Sequence, residues 1–316
     1  MHTKLLFLSV VIALSLSETQ GQSWAILEAK GEMVPRQDNG FMACKGRFFM
    51  MGGQGIQPVN MYDPSTEAWT NLAAPPVEMH HFQAVRYGNE IYILGAFTGQ
   101  PPNERPLEHI YIYDTGKDQW HKGDPIPEDR QRGSCGVVAY RGQIYMIGGS
   151  RDRFGGLPTN WVDRYDLKTG KWKKLSDAPH SRFHFHAGIC NGKIYAAGGR
   201  GITGSSTLVM DYQNLPYVDV FDIESGRWNT LPAEDNIPTE RTGASTVVIL
   251  DHLLVIGGEC DEQEGACRTV EAYDTERGEW ETWDNLSEGR QNTQAFMCVG
   301  TVFIASGETI EMLELK

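Results

Sequence analysis

The sequence predicts an all-β chain of six repeated units closed into a ring, and three observations carry that expectation. Glycine signals recur along the chain. FFMMGG ends at Gly53, IYMIGG at Gly149, IYAAGG at Gly199 and LLVIGG at Gly258, and two degenerate copies, IYILGA and VFIASG, end at Ala96 and Gly307. Downstream of the first five copies comes an aromatic–acid pair, and six residues after each of those acids stands a tryptophan: Trp69, Trp120, Trp172, Trp228 and Trp280. The sixth copy, TIEMLELK, runs out before its tryptophan, whereas Trp24 stands near the other end of the chain without a repeat of its own. Trp24 and Leu27 have the spacing seen in Trp69–Leu72, Trp172–Leu175 and Trp228–Leu231. An N-terminal strand around Trp24 therefore completes the last unit.

Each unit reads as short strands. Runs such as VVAYRGQIYMIGG are β-branched or aromatic and are broken by turn dipeptides such as Arg-Gly and Asn-Gly. A small sheet of this kind cannot bury both faces alone, but a closed ring of sheets can. Joining the two chain ends in one sheet leaves no open edge. Double glycine, Tyr-Asp and spaced Trp together resemble the kelch repeat, over nearly the whole chain after residue 21. That resemblance implies a six-bladed β-propeller of four-stranded antiparallel blades, with the repeated residues serving packing.

Residues 1–21, MHTKLLFLSVVIALSLSETQG, have a basic residue, an apolar stretch from Leu5 to Leu16 and a small, polar exit. This is the pattern of a secretory signal peptide, cleaved after Gly21 or alternatively after Ser17. The expected organisation is a signal peptide over 1–21 and a single propeller over 22–316, secreted to the extracellular space. The apolar stretch is short of the roughly 20 residues that a membrane-spanning helix needs, and no later segment reaches it. Formal net charge is −13 with no basic stripe, which argues against nucleic acid as a partner. Secretion permits disulfides. Cys260 and Cys267 share one polar loop, ECDEQEGAC, and are expected to pair; Asn285-Leu286-Ser287 is a glycosylation sequon on a surface connection.

Strand parity divides the loops between two faces. Tight turns occupy one, and the other carries long segments such as FTGQPPNERPLEH, SRDRFGGLPTNW and RGITGSSTLVMDYQNLPY. Long loops on a rigid scaffold are where function usually resides. On that face each innermost strand is preceded by an equivalent position, held by Arg36, Met79, Arg132, Arg182, Arg241 and Arg290. The arginines are expected either to bridge neighbouring blades through carbonyls and acids or to hold an anionic or carbonyl-bearing ligand. Two residues on stand Asp38, His81, Ser134, His184, Gly243 and Asn292, and two further on Gly40, Gln83, Gly136, His186, Ser245 and Gln294. These tiers are polar and differ from blade to blade, which predicts a polar axial pocket with a ligand-specific lining.

Other chemistry is weighed against that pocket. Three imidazoles, His81, His184 and His186, are the alternative transition-metal set; otherwise no cofactor is expected. VIGGECDEQEGACRT is similar to a blade of kelch-type sialic-acid epimerases, and the similarity would make Glu259 the acid/base and Arg268 the carboxylate binder. The acidic cluster Glu259, Asp261, Glu262 and Glu264 lacks the ligand order of an EF-hand. No nucleophile elbow, phosphate loop or CxxC pair occurs. The leading expectation is thus a non-catalytic extracellular binding module for a protein, glycan or matrix component. The alternative is a secreted enzyme acting on a small sugar or metabolite.

Overall fold

A computed structural model describes residues 22–152, 156–202, 212–261, 265–306 and 309–315. The expected signal peptide over 1–21, Glu262 and Glu264 therefore lie outside the described residues. Six four-stranded antiparallel sheets follow one another around an axis. The first five span 39–71, 85–125, 136–174, 187–230 and 245–283. The sixth is built from Ala295–Cys298, Thr301–Ser306 and Thr309–Leu315, with Gln22–Leu27 as its outermost strand.

Closure is the expected one. Gln22–Leu27 runs antiparallel to the last strand, with Trp24 opposite Leu313 and Leu27 opposite Ile310. The Trp24 indole nitrogen donates to the carbonyl of Asp284 at 2.9 Å. Four repeat tryptophans do the same to the preceding blade's outgoing segment: Trp120 to Ala73, Trp172 to Pro125, Trp228 to Ser176 and Trp280 to Asp235. Trp24 thus does for the sixth blade what a downstream tryptophan does for the others.

The core is divided by the ring. Apolar side chains collect in six clusters, each between two adjacent blades; one joins Phe41, Phe48 and Tyr62 of blade 1 to Phe296 and Ile310 of blade 6. Every blade buries both faces only because it has two neighbours, as the amphipathic logic of a single sheet requires. The aspartate of each Tyr-Asp pair is a turn residue: Asp114, Asp166 and Asp274 each accept two main-chain N–H groups from the turn that follows. Repeated residues here meet repeated needs.

The glycine pair is explained by how closely consecutive blades approach. A Cβ on Gly257 would stand 2.2 Å from the carbonyl oxygen of Arg290, and one on Gly148 would stand 2.5 Å from that of Arg182. The second glycine donates to that same oxygen, as Gly149 does to Arg182 at 2.8 Å and Gly258 to Arg290 at 2.7 Å.

Trp24→Ala removes an indole packed against the last core cluster together with its hydrogen bond. The expected loss is about 2–4 kcal/mol of unfolding free energy, read by urea denaturation. A variant as stable as the parent would show that the N-terminal strand does not hold the ring shut.

Candidate functional site

Around the axis on the long-loop face, the main chain forms a closed circuit. Asp38 N donates to Asn292 O, His81 N to Asp38 O, Ser134 N to His81 O, His184 N to Ser134 O, Gly243 N to His184 O and Asn292 N to Gly243 O, over 2.6–3.1 Å. To turn each amide towards the preceding blade, all six residues adopt left-handed backbone, with φ between 54° and 63°. Glycine adopts that conformation freely, as at Gly243; a side chain there costs about 1 kcal/mol or more. Five of the six positions carry a polar side chain in spite of that cost. Strain retained in this way points to a use for the side chains.

The six residues line an axial pocket with Phe82, Cys135, Phe185 and His186. The space at its centre is about 20 Å³. A single water or ion needs ~10–15 Å³, so the ring admits something of that size and no sugar or peptide side chain. Of the residues expected to bind a ligand, Asp38, His81, Ser134, His184, His186 and Asn292 line this space, whose capacity is far smaller than a ligand pocket requires.

The deeper tier is occupied structurally. Gln83 accepts the amides of Val137 and Ala187 and donates to the carbonyl of Ala187, joining three blades. Gln294 accepts the amide of Ala84 and donates to its carbonyl, both at 2.8 Å. Ser245 joins Thr293 O to Ala295 N. These three side chains are a crossbar between inner strands and do not present free groups to a ligand, contrary to expectation. Beyond them the other mouth widens to about 550 Å³ on the tight-turn face, among Val85, Val137, Val247 and Met297.

The arginines do not face the pocket either, which corrects the ligand alternative for Arg36, Arg132, Arg182, Arg241 and Arg290. All are 5% exposed or less. Arg182 donates to the carbonyls of Ala196, Gly198 and Tyr217 and to Asp219. Arg132, Arg241 and Arg290 pair in the same way with Asp163, Glu271 and Glu311, and Arg36 with Asn60. Burial lowers the basicity of Arg36 to about 10 and pulls Arg182 and Arg241 down as well, with the acids opposing it in the latter two. The bridging alternative holds in a specific form. The main-chain carbonyl of Arg182, Arg241 and Arg290 binds the preceding blade, and the side chain ties the middle strands of its own blade. In blade 2 both partners change together: the arginine position is Met79 and the acid position Tyr111, packed in one apolar cluster.

The histidines form a line. His80 Nδ1 lies 2.7 Å from His81 Nδ1, and His80 Nε2 lies 3.1 Å from Gly99 O and 3.5 Å from Glu104. Burial and the neighbouring His81 ring lower the pKa of His80. His81 and His184 rings stand 5.1 Å apart, and Asp38 Oδ1 is 2.9 Å from His81 Nε2. Among the described residues, the group whose ligand atoms come within 4.8 Å of one another is Asp38, His81 and His184. His186 does not join it; its ring turns to the main chain of Phe82, and burial pushes its pKa down to about 4. The three-imidazole set is thus corrected to two imidazoles and a carboxylate. His80 and Glu104 were missed as site residues; the signal was the His-His dipeptide, whose first member reaches away from the axis.

The epimerase-like pair is not assembled. Glu259 pairs with Arg200 at 3.2 Å and accepts from Asn292 at 3.3 Å, at the rim of the ring, whereas Arg268 is exposed and donates to Leu286 O. Cys260 and Cys267 are joined by a disulfide, their Cα atoms 6.2 Å apart, and Asn285 is exposed.

Fold and ring together define a six-bladed propeller built on a glycine–tyrosine–tryptophan repeat. The KLHDC2/KLHL20/DRC7 kelch-repeats domain matches over residues 9–199 and 123–307, so the chain belongs to the kelch-repeat family. Among curated proteins it is similar to the Kelch-like protein terF of Aspergillus terreus, 25% identical over 88% of this chain and 62% of that protein. It is also similar to the human Kelch-like protein 23, 25% identical over 82% of this chain and 43% of that protein. The chain therefore spans under two thirds of the length of these relatives. A solved structure titled "Structure of YjhT" superposes with a TM-score of 0.72 over 89% of this chain and 95% of that one, at 14% identity, which shows the shared fold.

The blade 2 substitution suggests a test of the arginine clamps. Arg241→Met alone strands Glu271 in the interior and is expected to cost about 3–5 kcal/mol. Arg241→Met with Glu271→Tyr, which copies blade 2, should recover more than half of that loss in chemical unfolding. A double variant no better than the single one would refute the pairing.

Proposed function

We propose that the chain is a secreted binding module that holds an extracellular protein partner on its long-loop face. One observation carries the reading: polar side chains that differ from blade to blade are kept at strained ring positions beneath loops of unequal length. The repeat needs none of that asymmetry for packing. Because the ring is too small to take in a ligand group, contact falls to the rim above it. On that face Ile56 and Leu157 are 60% and 65% exposed, and Arg200 pairs with Glu259. A protein surface fits this combination of apolar anchors and rim charges better than a small sugar does. Residues 1–21 and the Cys260–Cys267 disulfide support secretion, and exposed Asn285 supports glycosylation in a eukaryotic secretory pathway.

Two outcomes are expected. Ile56→Glu with Leu157→Glu should weaken capture of the partner from native extracellular fluid by about tenfold or more, with the melting temperature unchanged. Leu250→Glu with Val299→Glu, on the tight-turn face, should leave capture intact; the reverse pattern would assign binding to the other face. Expressed from its own start in a secretory host, the chain should accumulate in the medium and begin at Gln22 by N-terminal sequencing. Retention in the cell with residues 1–21 attached would overturn secretion.

A further inference from the structure

We infer that Asp38, His81 and His184 form a binding site for a divalent transition-metal ion of the zinc class, centred on the propeller axis. The inference goes beyond partner binding and stands independently of it. Three residues from three blades supply it: Asp38 from blade 1, His81 from blade 2 and His184 from blade 4, converging within 4.8 Å. The central space of about 20 Å³ is the size of one ion. Two imidazole nitrogens and one carboxylate are the donor set that borderline ions such as zinc, or their first-row neighbours, prefer over calcium or magnesium.

Counting protons strengthens the assignment. The carbonyl of Gly99 can only accept, so His80 Nε2 carries hydrogen towards it. With both rings neutral, His80 Nδ1 then has a bare lone pair, and the 2.7 Å contact requires His81 Nδ1 to be the donor. His81 Nε2 is left bare. That nitrogen sits 2.9 Å from a carboxylate oxygen and makes no hydrogen bond. Two acceptors facing each other at this distance repel unless a positive charge lies between them, either a proton that makes His81 an imidazolium paired with Asp38 or a bound cation. Ligand atoms at adjacent corners around a metal, with bonds of about 2.0–2.1 Å, are ~2.9–3.4 Å apart and point at the ion rather than at each other.

The second layer has the matching form. Histidine ligands usually hand their other nitrogen to a hydrogen-bond acceptor, which fixes the tautomer and the ring orientation. Here His81 passes it to His80, and His80 to Gly99 and Glu104, with both histidines and Glu104 buried. Cys135, which also lines the pocket, has its thiol directed to the carbonyls of Arg132, Gly133 and Gly148, so it is not counted as a ligand.

The test uses the full purified chain, stripped with a chelator and titrated with zinc against a chromophoric competitor. About one tightly held equivalent is expected, and cobalt substituted for zinc should give visible d–d absorption of a nitrogen/oxygen site. Asp38→Asn and His184→Asn keep side chains that tolerate left-handed backbone, and each should weaken binding by roughly 100-fold or more. Glu104→Gln touches no metal and should weaken it about tenfold at an unchanged melting temperature, which marks a positioning residue. Absence of a stoichiometric equivalent would overturn the site. So would zinc retained with unaltered affinity in both axial variants, since it would then be bound elsewhere, as at the free cysteines; variants that melt early are replaced by Asp38→Ser and His184→Gln and judged by the same readings.

Discussion

The structure depends on a circuit of six main-chain hydrogen bonds passed from blade to blade around the axis, from Asp38 through His81, Ser134, His184 and Gly243 to Asn292 and back. No blade can make its bond without two neighbours in place. The circuit also fixes where each innermost strand starts and which way its first side chains point. Outside it, the six apolar clusters lie between blades and not within them, so the ring and the core enforce the same arrangement. Stability and site geometry therefore have one origin, because residues that turn left-handed to make the circuit are the residues that line the pocket.

The arginine clamps extend this dependence outward. A buried guanidinium is tolerable where its charge and most of its donors find acceptors, and the two terminal nitrogens of Arg182 find three carbonyls and Asp219. Charge is not what the position requires, since Met79 and Tyr111 meet the same need in blade 2 with an apolar pair. What is constrained is that the two positions agree. The pairing orders the segment leading into the ring and holds the left-handed turn that follows.

Much of this was legible in the sequence, because repetition exposes it. The spacing of Trp24 matched that of Trp69 and Trp172, so both the closing strand and its partner could be named from spacing alone. Counting back from a repeated turn also placed Asp38, His81 and His184 in one tier correctly. Side-chain direction was harder to read. The ring position and the position two residues on look alike in sequence, but the left-handed turn sends Asp38 and His81 into the pocket and leaves Gln83 and Gln294 spanning inner strands. That is why His186 was wrongly grouped with His184. The arginines misled for a related reason: five cations at one position suggest a ligand until their partners, two residues before the aromatic of each Tyr-Asp signal, are recognised. Glu104 lies in a long loop whose path no periodicity predicts, and its role could be seen only in three dimensions.

Closure by Gln22–Leu27 against Thr309–Leu315 also has a temporal side. A chain emerging from the ribosome presents this strand long before its partner exists, so an early strand of the propeller is among the last to be secured. Five blades can stack as they appear, each with an exposed flank awaiting the next, and the toroid is completed only once Thr309–Leu315 has been made. Any factor that accompanies such a chain during synthesis must shield that early strand, and a permuted gene that opens the circle at a tight turn would spare it the wait.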